Sequence, residues 1–387
     1  MSEWKKVKLK DITISITDGK HGDCKGQDNS GYYFISCKDV SDGTIHYENA
    51  RQITKEDFIE TDKRTNLATN DILITNSGTI GRMAFVKDIP ETRKTTFQKS
   101  VAIVKPNTDK VLPIYLYYLL QSKVSEFVNS SNGAAQKNLL LSTMREFELS
   151  IEESFSIQQR IATILSRYDS LIENYQKQIK LLEESAQRLY KEWFIDLRFP
   201  GHENTKIVDG VPEGWEKKKV GDLISKVLRT KQVSANNYLN SGCIPVIDQS
   251  RNYIAGYTND IESLVEVNIP YIVFGDHTRV LKYVPFSFAK GADGTQLIMS
   301  NDLERMPQSL FYNSLIEIDL SNYSYARHFK YLKEESILVP SKDIAQKYDK
   351  VVSQYFQSIQ KSRGQTHHLT EARDRLLPKL MNGEIEV

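Results

Sequence analysis

One stretch limits the folds open to this chain more than any other, Ile157 through Trp193. Its apolar positions are Ile157, Ile161, Ile164, Tyr168, Leu171, Tyr175, Ile179, Leu182, Ala186, Leu189 and Trp193. The steps between them are three or four residues, alternating except for one 4-4 pair at Tyr175. That spacing predicts a helix with one narrow apolar seam, the geometry of a coiled-coil strand. The 4-4 pair is a stutter that locally relaxes the supercoil. Neither Pro nor Gly interrupts the run, so about 37 residues at roughly 1.5 Å each predict a rod of about 55 Å. Such a rod cannot bury its seam alone.

The chain supplies its own cover. An ungapped shift that carries Ile157 to Ile344 also lays Ile161 on Tyr348, Ile164 on Val351 and Tyr168 on Tyr355. Further along, Leu182 falls on Leu369, Leu189 on Leu376 and Trp193 on Leu380, while Gln159, Ser166, Gln178, Glu184 and Arg188 recur as Gln346, Ser353, Gln365, Glu371 and Arg375. An internal repeat decides the architecture before any local feature does. The competing reading, two unrelated amphipathic helices, leaves that register unexplained. The second copy is poorer in its middle, where Ser358, Ser362 and Thr366 are expected on the seam and Gly364 weakens the helix. Upstream, Trp4-Lys-Lys-Val-Lys-Leu-Lys-Asp-Ile12 matches Trp215-Glu-Lys-Lys-Lys-Val-Gly-Asp-Leu223 in its Trp, apolar and Asp positions.

Each half therefore reads as a module opening at a Trp and closing with a long helix. The expected boundaries are a first module at 1–150, a long helix at 151–195, a linker at 196–214, a second module at 215–340 and a second helix at 341–387. Both modules alternate β-rich runs with Gly- and Asn-rich turns. Tyr32–Cys37, Asp71–Thr75, Met83–Val86 and Ser100–Val104 are strands of the first, with one helix around Ile114–Phe127. Ile244–Ile247, Tyr271–Phe274 and Gln296–Met299 are strands of the second. The fold class is α+β: two globular β-rich domains separated by an antiparallel two-helix coiled coil, related by a pseudo-two-fold repeat. One scaffold with two different interiors suggests two specificities.

Length and composition set outer bounds. A chain of 387 residues suffices for two or three domains with proper cores. The N-terminus Met1-Ser-Glu-Trp-Lys-Lys has no apolar signal region, and the longest apolar run, around Leu112–Leu120, is far too short to span a bilayer. Three cysteines (Cys24, Cys37, Cys243) form no CxxC, which fits a reducing cytosol. A cytoplasmic protein with no membrane partner is expected. The formal charge of +1 means that any basic surface must be local.

No catalytic set stands out. The sequence holds no HExxH, GxSxG or GxxxxGK[ST], and no Asn-Pro-Pro-aromatic tetrapeptide of the kind that holds a target amine in amino-methyltransferases. No metal site and no cofactor bound by this chain is expected. Asp276-His277 could form a dyad, but a polar turn accounts for it equally well. Loops carrying guanidinium, amide and hydroxyl groups beside aromatic residues are better candidates, for DNA. In the first module these are Lys20, His21 and Lys25; Asn76, Ser77, Thr79 and Arg82; and Gln136, Lys137 and Asn138. In the second they are Gln249, Ser250, Arg251 and Tyr253; His277, Thr278 and Arg279; and Arg327, His328 and Lys330. Arg reads guanine and Asn or Gln reads adenine through paired hydrogen bonds, while Ser, Thr, Lys and backbone N–H groups hold phosphates. Solvated turns are the bland alternative for each of these residues. Gly78-Thr-Ile-Gly81 reads as a hairpin rather than a phosphate cradle.

The order of variable module, long helix, variable module, long helix resembles the specificity subunits of type I restriction–modification systems. The local text agrees. Asp18-Gly-Lys-His-Gly22 followed by Gly31-Tyr-Tyr-Phe-Ile-Ser36 is similar to that family's first target-recognition opening. Asp71–Arg82 and Phe97-Gln-Lys-Ser100 look like its central strands, and Gln158-Gln-Arg-Ile-Ala162 resembles the start of its long helix. Gly210-Val-Pro-Glu-Gly-Trp215 looks like the entry to the second module. Phe274-Gly-Asp-His-Thr-Arg279 with Gly291-Ala-Asp-Gly-Thr295 resembles a recurring recognition-domain type, and Arg375–Ile385 a familiar close. The resemblance covers nearly the whole chain.

It implies a non-catalytic subunit that chooses the sequence of double-stranded DNA to be modified. Two methylation subunits would dock on it, bind S-adenosylmethionine and modify adenine N6, and nuclease subunits could join them. Antiparallel rods would hold the two modules about one helical turn of DNA apart, roughly 34 Å, so that the target is bipartite and asymmetric. Two other readings compete: a non-DNA coiled-coil scaffold with two ligand-binding heads, and a self-sufficient enzyme using Asp276 and His277.

Overall fold

The computed structural model describes residues 4–131, 138–227, 230–323 and 327–387. The chain forms two compact units, one of residues 1–172 with 367–387 and the other of residues 173–366. Each contains a β-rich module and a stretch of both long helices.

In the first unit the strand Trp4–Lys8 pairs antiparallel with Glu148–Glu152, Trp4 opposite Glu152. Between them lies an antiparallel sheet in the order Thr13–Asp18, Val101–Pro106, Ile72–Thr75, Met83–Phe85. The two central strands, Ile72-Leu-Ile-Thr75 and Val101-Ala-Ile-Val104, are apolar almost without break because both faces of the sheet are covered. Side chains alternate between the faces. Ile72, Ile74, Ala102 and Val104 pack with Tyr115, Leu116 and Leu119 of the helix Pro113–Ser122. Leu73, Val101 and Ile103 pack with Ile35, Val40 and Phe97. Tyr33–Ile35 and Thr95–Phe97 form a parallel pair beside them. The helix expected at 114–127 is two, Pro113–Ser122 and Val124–Asn129, broken at Lys123.

The second unit repeats the frame. Glu216–Lys219 pairs antiparallel with Ser336–Val339, the strand that leads into the second long helix. The interior differs. It holds a three-stranded sheet, Leu281–Val284, Tyr271–Gly275, Thr295–Ile298, and a four-stranded one, Gly256–Thr258, Ile244–Ile247, Phe288–Lys290, Leu264–Val265. Ile272, Phe274 and Ile298 pack on the helix Gln308–Ile316 through Leu310, Phe311 and Leu315. Segment 196–214 carries a short hairpin, Ile207–Val208 with Val211–Pro212, and Phe199 lies 4.7 Å from Trp215, centroid to centroid.

The long helices span Phe155–Tyr190, extended by a π-helical turn at Lys191–Ile195, and Lys342–Met381. In the first unit the start of one meets the end of the other: Arg373 donates to Asp169 at 2.7 Å, and Tyr118 donates to the other carboxylate oxygen at 2.6 Å. In the second unit Arg363 donates to Glu183 at 2.8 Å, and the Tyr348 hydroxyl donates to Ala186 O at 3.2 Å. Within the second unit, advancing from Glu183 to Ala186 on one helix means retreating from Arg363 to Tyr348 on the other, so the two helices run antiparallel there.

Of the expected seam, Ile161, Ile344 and Tyr348 are buried, whereas Ile157, Ile164, Tyr168, Leu182, Leu189, Val351, Tyr355, Leu369 and Leu376 are partly buried. The buried stripe of the second helix runs instead through Ile344, Tyr348, Val352, Phe356 and Ile359 to Ser362. Ser358 is exposed and Ile359 takes the place given to it, which corrects that position, whereas Ser362 is buried and Thr366 partly buried as expected of a polar middle. On the first helix Ile172 is buried where Leu171 was expected and is 47% exposed. A straight α-helix drifts by about 20° per heptad against a 3.5-residue repeat, and these helices also bury residues against the modules, which widens the covered face.

Candidate nucleic-acid interface

In the first unit the candidate loops converge on the turn Phe97-Gln-Lys-Ser100. Lys20 N donates to Phe97 O at 2.8 Å, and Lys99 N donates back to Lys20 O at 3.1 Å. Gly19 permits this crossing, since a Cβ there would lie 2.0 Å from Phe97 O. On the other side of the turn Asn76 N donates to Ser100 O at 3.0 Å. The hairpin that follows is a sequence-local structure: the Thr75 hydroxyl takes the Arg82 N–H at 2.9 Å and donates to Thr79 O. Asn138 forms an isolated bridge with Ser77, and Leu139 N donates to Asn76 O at 2.8 Å. Two loops far apart in the chain thus become one surface.

On that surface Thr79, Arg82, Lys99 and Asn138 are exposed and Ser77 is partly buried. The Arg82 guanidinium has no partner among the described residues, which leaves its whole donor fork available. His21 is exposed and its ring meets the buried Asp18 at 2.9 Å; Asp18 also pairs with Arg64. Lys20 is partly buried beside Glu60 at 3.5 Å. Lys25 is exposed and stands apart, its backbone N–H held by Asp57 at the start of the helix Lys55–Thr65. Asn76 differs from the expectation of an open reader: it is 5% exposed, and its Oδ1 has no partner among the described residues. Gln136 and Lys137 lie outside the described residues.

The second unit gathers its candidates around Gly275–Val280. Arg279 N donates to Gly275 O at 2.8 Å, which closes the turn and sets Arg279 in the left-handed region at φ 62°. One of its guanidinium nitrogens donates to Leu320 O at 3.0 Å, and the rest of the side chain is exposed. His277 and Thr278 are exposed beside it, as is Arg251. The Asp276 carboxylate is buried and accepts Phe329 N at 2.8 Å. This docks the helix His328–Glu334 on the turn and brings the exposed Arg327 and Lys330 to the same surface.

Three candidates change role. His328 is 5% exposed, and its two ring nitrogens face Asp276 O at 2.9 Å and Tyr323 O at 2.8 Å, so the ring is an internal tie. Tyr253 donates its hydroxyl to Tyr283 O at 2.6 Å and carries the Arg363 guanidinium on its face, which engages both ends of the side chain. The Ser250 hydroxyl is buried without a partner among the described residues. The Asp276-His277 dyad does not form: the carboxylate caps a helix and the imidazole is exposed. Beneath the loop, Lys282 is 3% exposed and donates to Asp248 O at 2.7 Å and Asn252 O at 2.5 Å; burial pushes its ammonium down to about 8 against the pull of Asp248. Sequence reasoning missed Lys99 as part of the first surface and Asp276 as the buried brace behind the second. The text Phe97-Gln-Lys-Ser100, polar residues between two apolar runs, was the available signal for the first.

Among the described residues no group of three or more His, Cys, Asp or Glu is placed to hold a metal ion. Both surfaces offer exposed cations, amides and hydroxyls on loops braced from behind. Residues 1–184 match the type I restriction modification DNA specificity domain. The chain is 29% identical to the MjaIX specificity subunit of Methanocaldococcus jannaschii, over 100% of this chain and 94% of that protein. These matches make the chain similar to the specificity subunits of type I restriction–modification systems. To another such subunit, HindI of Haemophilus influenzae, it is 23% identical over the full length of both. The crystal structure of the type I S subunit from M. genitalium shares the fold with a TM-score of 0.58, at 17% identity and 98% and 96% coverage. Specificity subunits of type I systems are generally non-catalytic.

Proposed function

We propose that this chain is a type I specificity subunit that reads a two-part, asymmetric DNA sequence, one part with each unit, and that partner subunits carry out the modification. One observation carries the reading. Both units have the same frame, an opening strand paired with the strand before a long helix, yet the loops on that frame are unlike: Asn76–Arg82 with Asn138 in one, Gln249–Arg251 with His277–Arg279 in the other. Similar frames with different side chains call for two different half-sites. Exposed Arg and amide groups suit base edges in the major groove, and the lysines and hydroxyls around them suit phosphates.

Two methylation subunits supply S-adenosylmethionine and the pocket for a flipped adenine, whose N6 receives the methyl group. This reading allows nuclease subunits to join the same assembly without requiring them. The complex works in the cytoplasm beside the DNA; among the described residues no helix is long and apolar enough to cross a membrane.

Co-expression with the methylation subunit, followed by mapping of modified adenines, tests the reading. One bipartite, asymmetric sequence with an unread gap is expected, with binding that weakens steeply as salt rises. Modification that does not depend on this chain, or a single uninterrupted site, overturns it.

A further inference from the structure

Gln249 stands where three loops of the second unit meet, and its contacts differ in kind from those of its neighbours. Its Oε1 accepts the His277 backbone N–H at 3.1 Å, and its Nε2 donates to Asp293 O at 2.9 Å. Its own carbonyl accepts the Thr278 hydroxyl at 2.6 Å. These partners fix the amide's orientation, because an N–H must face the oxygen and a carbonyl the NH2 group. A Gln that reads adenine must offer a donor and an acceptor together to one base edge. Here one of each is already engaged within the protein.

Gly294 supplies a second observation. Its φ is 83°, and a Cβ built there would lie 2.7 Å from Nε2 and 2.8 Å from Oε1 of Gln249, and 2.8 Å from Cδ2 of His277. Gly294 thus lies close against both polar atoms of the amide, with no room for a side chain between them. Arg251, His277 and Arg279, by contrast, present exposed side chains around it.

We propose that Gln249 is a positioning residue: it fastens the backbone of His277 and Thr278 to Asp293, so that the exposed side chains beside it, and not its own, select the bases of the second half-site. This rests on the reading that the second unit recognises DNA. A side chain that reads a base governs one base pair. A brace governs the placement of every reader attached to it.

The test uses the complete complex with its methylation subunits and a set of targets varied one base pair at a time. The variants are Gln249→Ala, Gln249→Glu, which keeps the acceptor for His277 and loses the donor to Asp293, and Gly294→Ala, which has no group able to read a base. Gln249→Ala and Gly294→Ala are expected to lower discrimination at several base pairs of the second half-site together, by about tenfold each. Gln249→Glu falls between them and the unsubstituted protein, and the first half-site stays as it was. Relaxation at a single A·T pair in Gln249→Ala, with Gly294→Ala unaffected, overturns the proposal, as does unchanged discrimination in both. If Gly294→Ala does not fold, as its melting curve would reveal, the two Gln249 variants decide alone by the same criterion. An unsubstituted complex that selects no second half-site removes the DNA reading itself, and that control separates the two failures.

Discussion

Arg363 of the second long helix lays its guanidinium 3.8 Å from the centre of the Tyr253 ring. The same group donates to Glu183 of the first long helix, so one side chain joins both helices to the loop that carries Gln249 and Arg251. Burial raises the Glu183 carboxyl while Arg363 pulls it down.

Arg363→Ala removes a stacked cation and one partner of a partly exposed ion pair. A loss of about 1–2 kcal/mol in unfolding free energy is expected. Arg363→Lys keeps the charge but not the flat stacking face, and is expected to restore less than half of it. Urea unfolding of the three proteins checks this, and equal midpoints would refute it.

Lys282 makes stability depend on pH in a definite direction. Its folded value is about 8, below the ordinary lysine value of about 10.4. Between those values the unfolded chain binds more protons than the folded one, so unfolding free energy rises with pH. Relative to Lys282→Met, the unsubstituted protein should gain about 1–3 kcal/mol from about pH 7 to about pH 10. Paired thermal melts across that range measure it; a difference that stays flat or falls contradicts the assignment.

Arg82 and Arg279 belong to different units, and each should affect its own half-site. Arg82→Ala and Arg279→Ala are each expected to relax or abolish one part of the target, at about 1–3 kcal/mol per lost base contact. Methylome sequencing resolves the two parts separately. Equal damage to both parts by either variant would point to general phosphate contact.

The ion pairs Asp169–Arg373 and Glu183–Arg363 locate facing positions on the antiparallel helices. Residues matched by the sequence repeat, such as Ser185 and Ala372, do not face each other. One heptad inserted after Gln176 and another after His368 keeps the two pairs in register. That double insertion is expected to lengthen the unread gap and leave both half-sites unaltered; an unchanged gap rules out the helices as the ruler.

The long helices were legible because their spacing of three and four is a local signal, and the repeat because it keeps register. The face that is buried was less so. Val352, Phe356 and Ile359 line it in place of the expected Val351, Tyr355 and Ser358 because the modules as well as the partner helix cover that surface. The candidate site was legible only as exposed residue types: Arg82, His277 and Arg279 are exposed on braced turns as their composition suggested. Which of them meet was not. Ser77 and Asn138 are brought together by tertiary contacts that leave no trace in either segment. Nor does sequence separate an open polar side chain from a satisfied one, and His328 and Tyr253 are satisfied.

Each module's first and last strands lie against one another, Trp4 opposite Glu152 and Glu216 opposite Val339. A segment whose two ends are neighbours can be lifted out and replaced like a cartridge. The interior from the end of one strand to the start of the other is then free to diverge, or to be traded whole, while its junction with the helices stays put. New targets become available by exchange of interiors, without any redesign of what holds them.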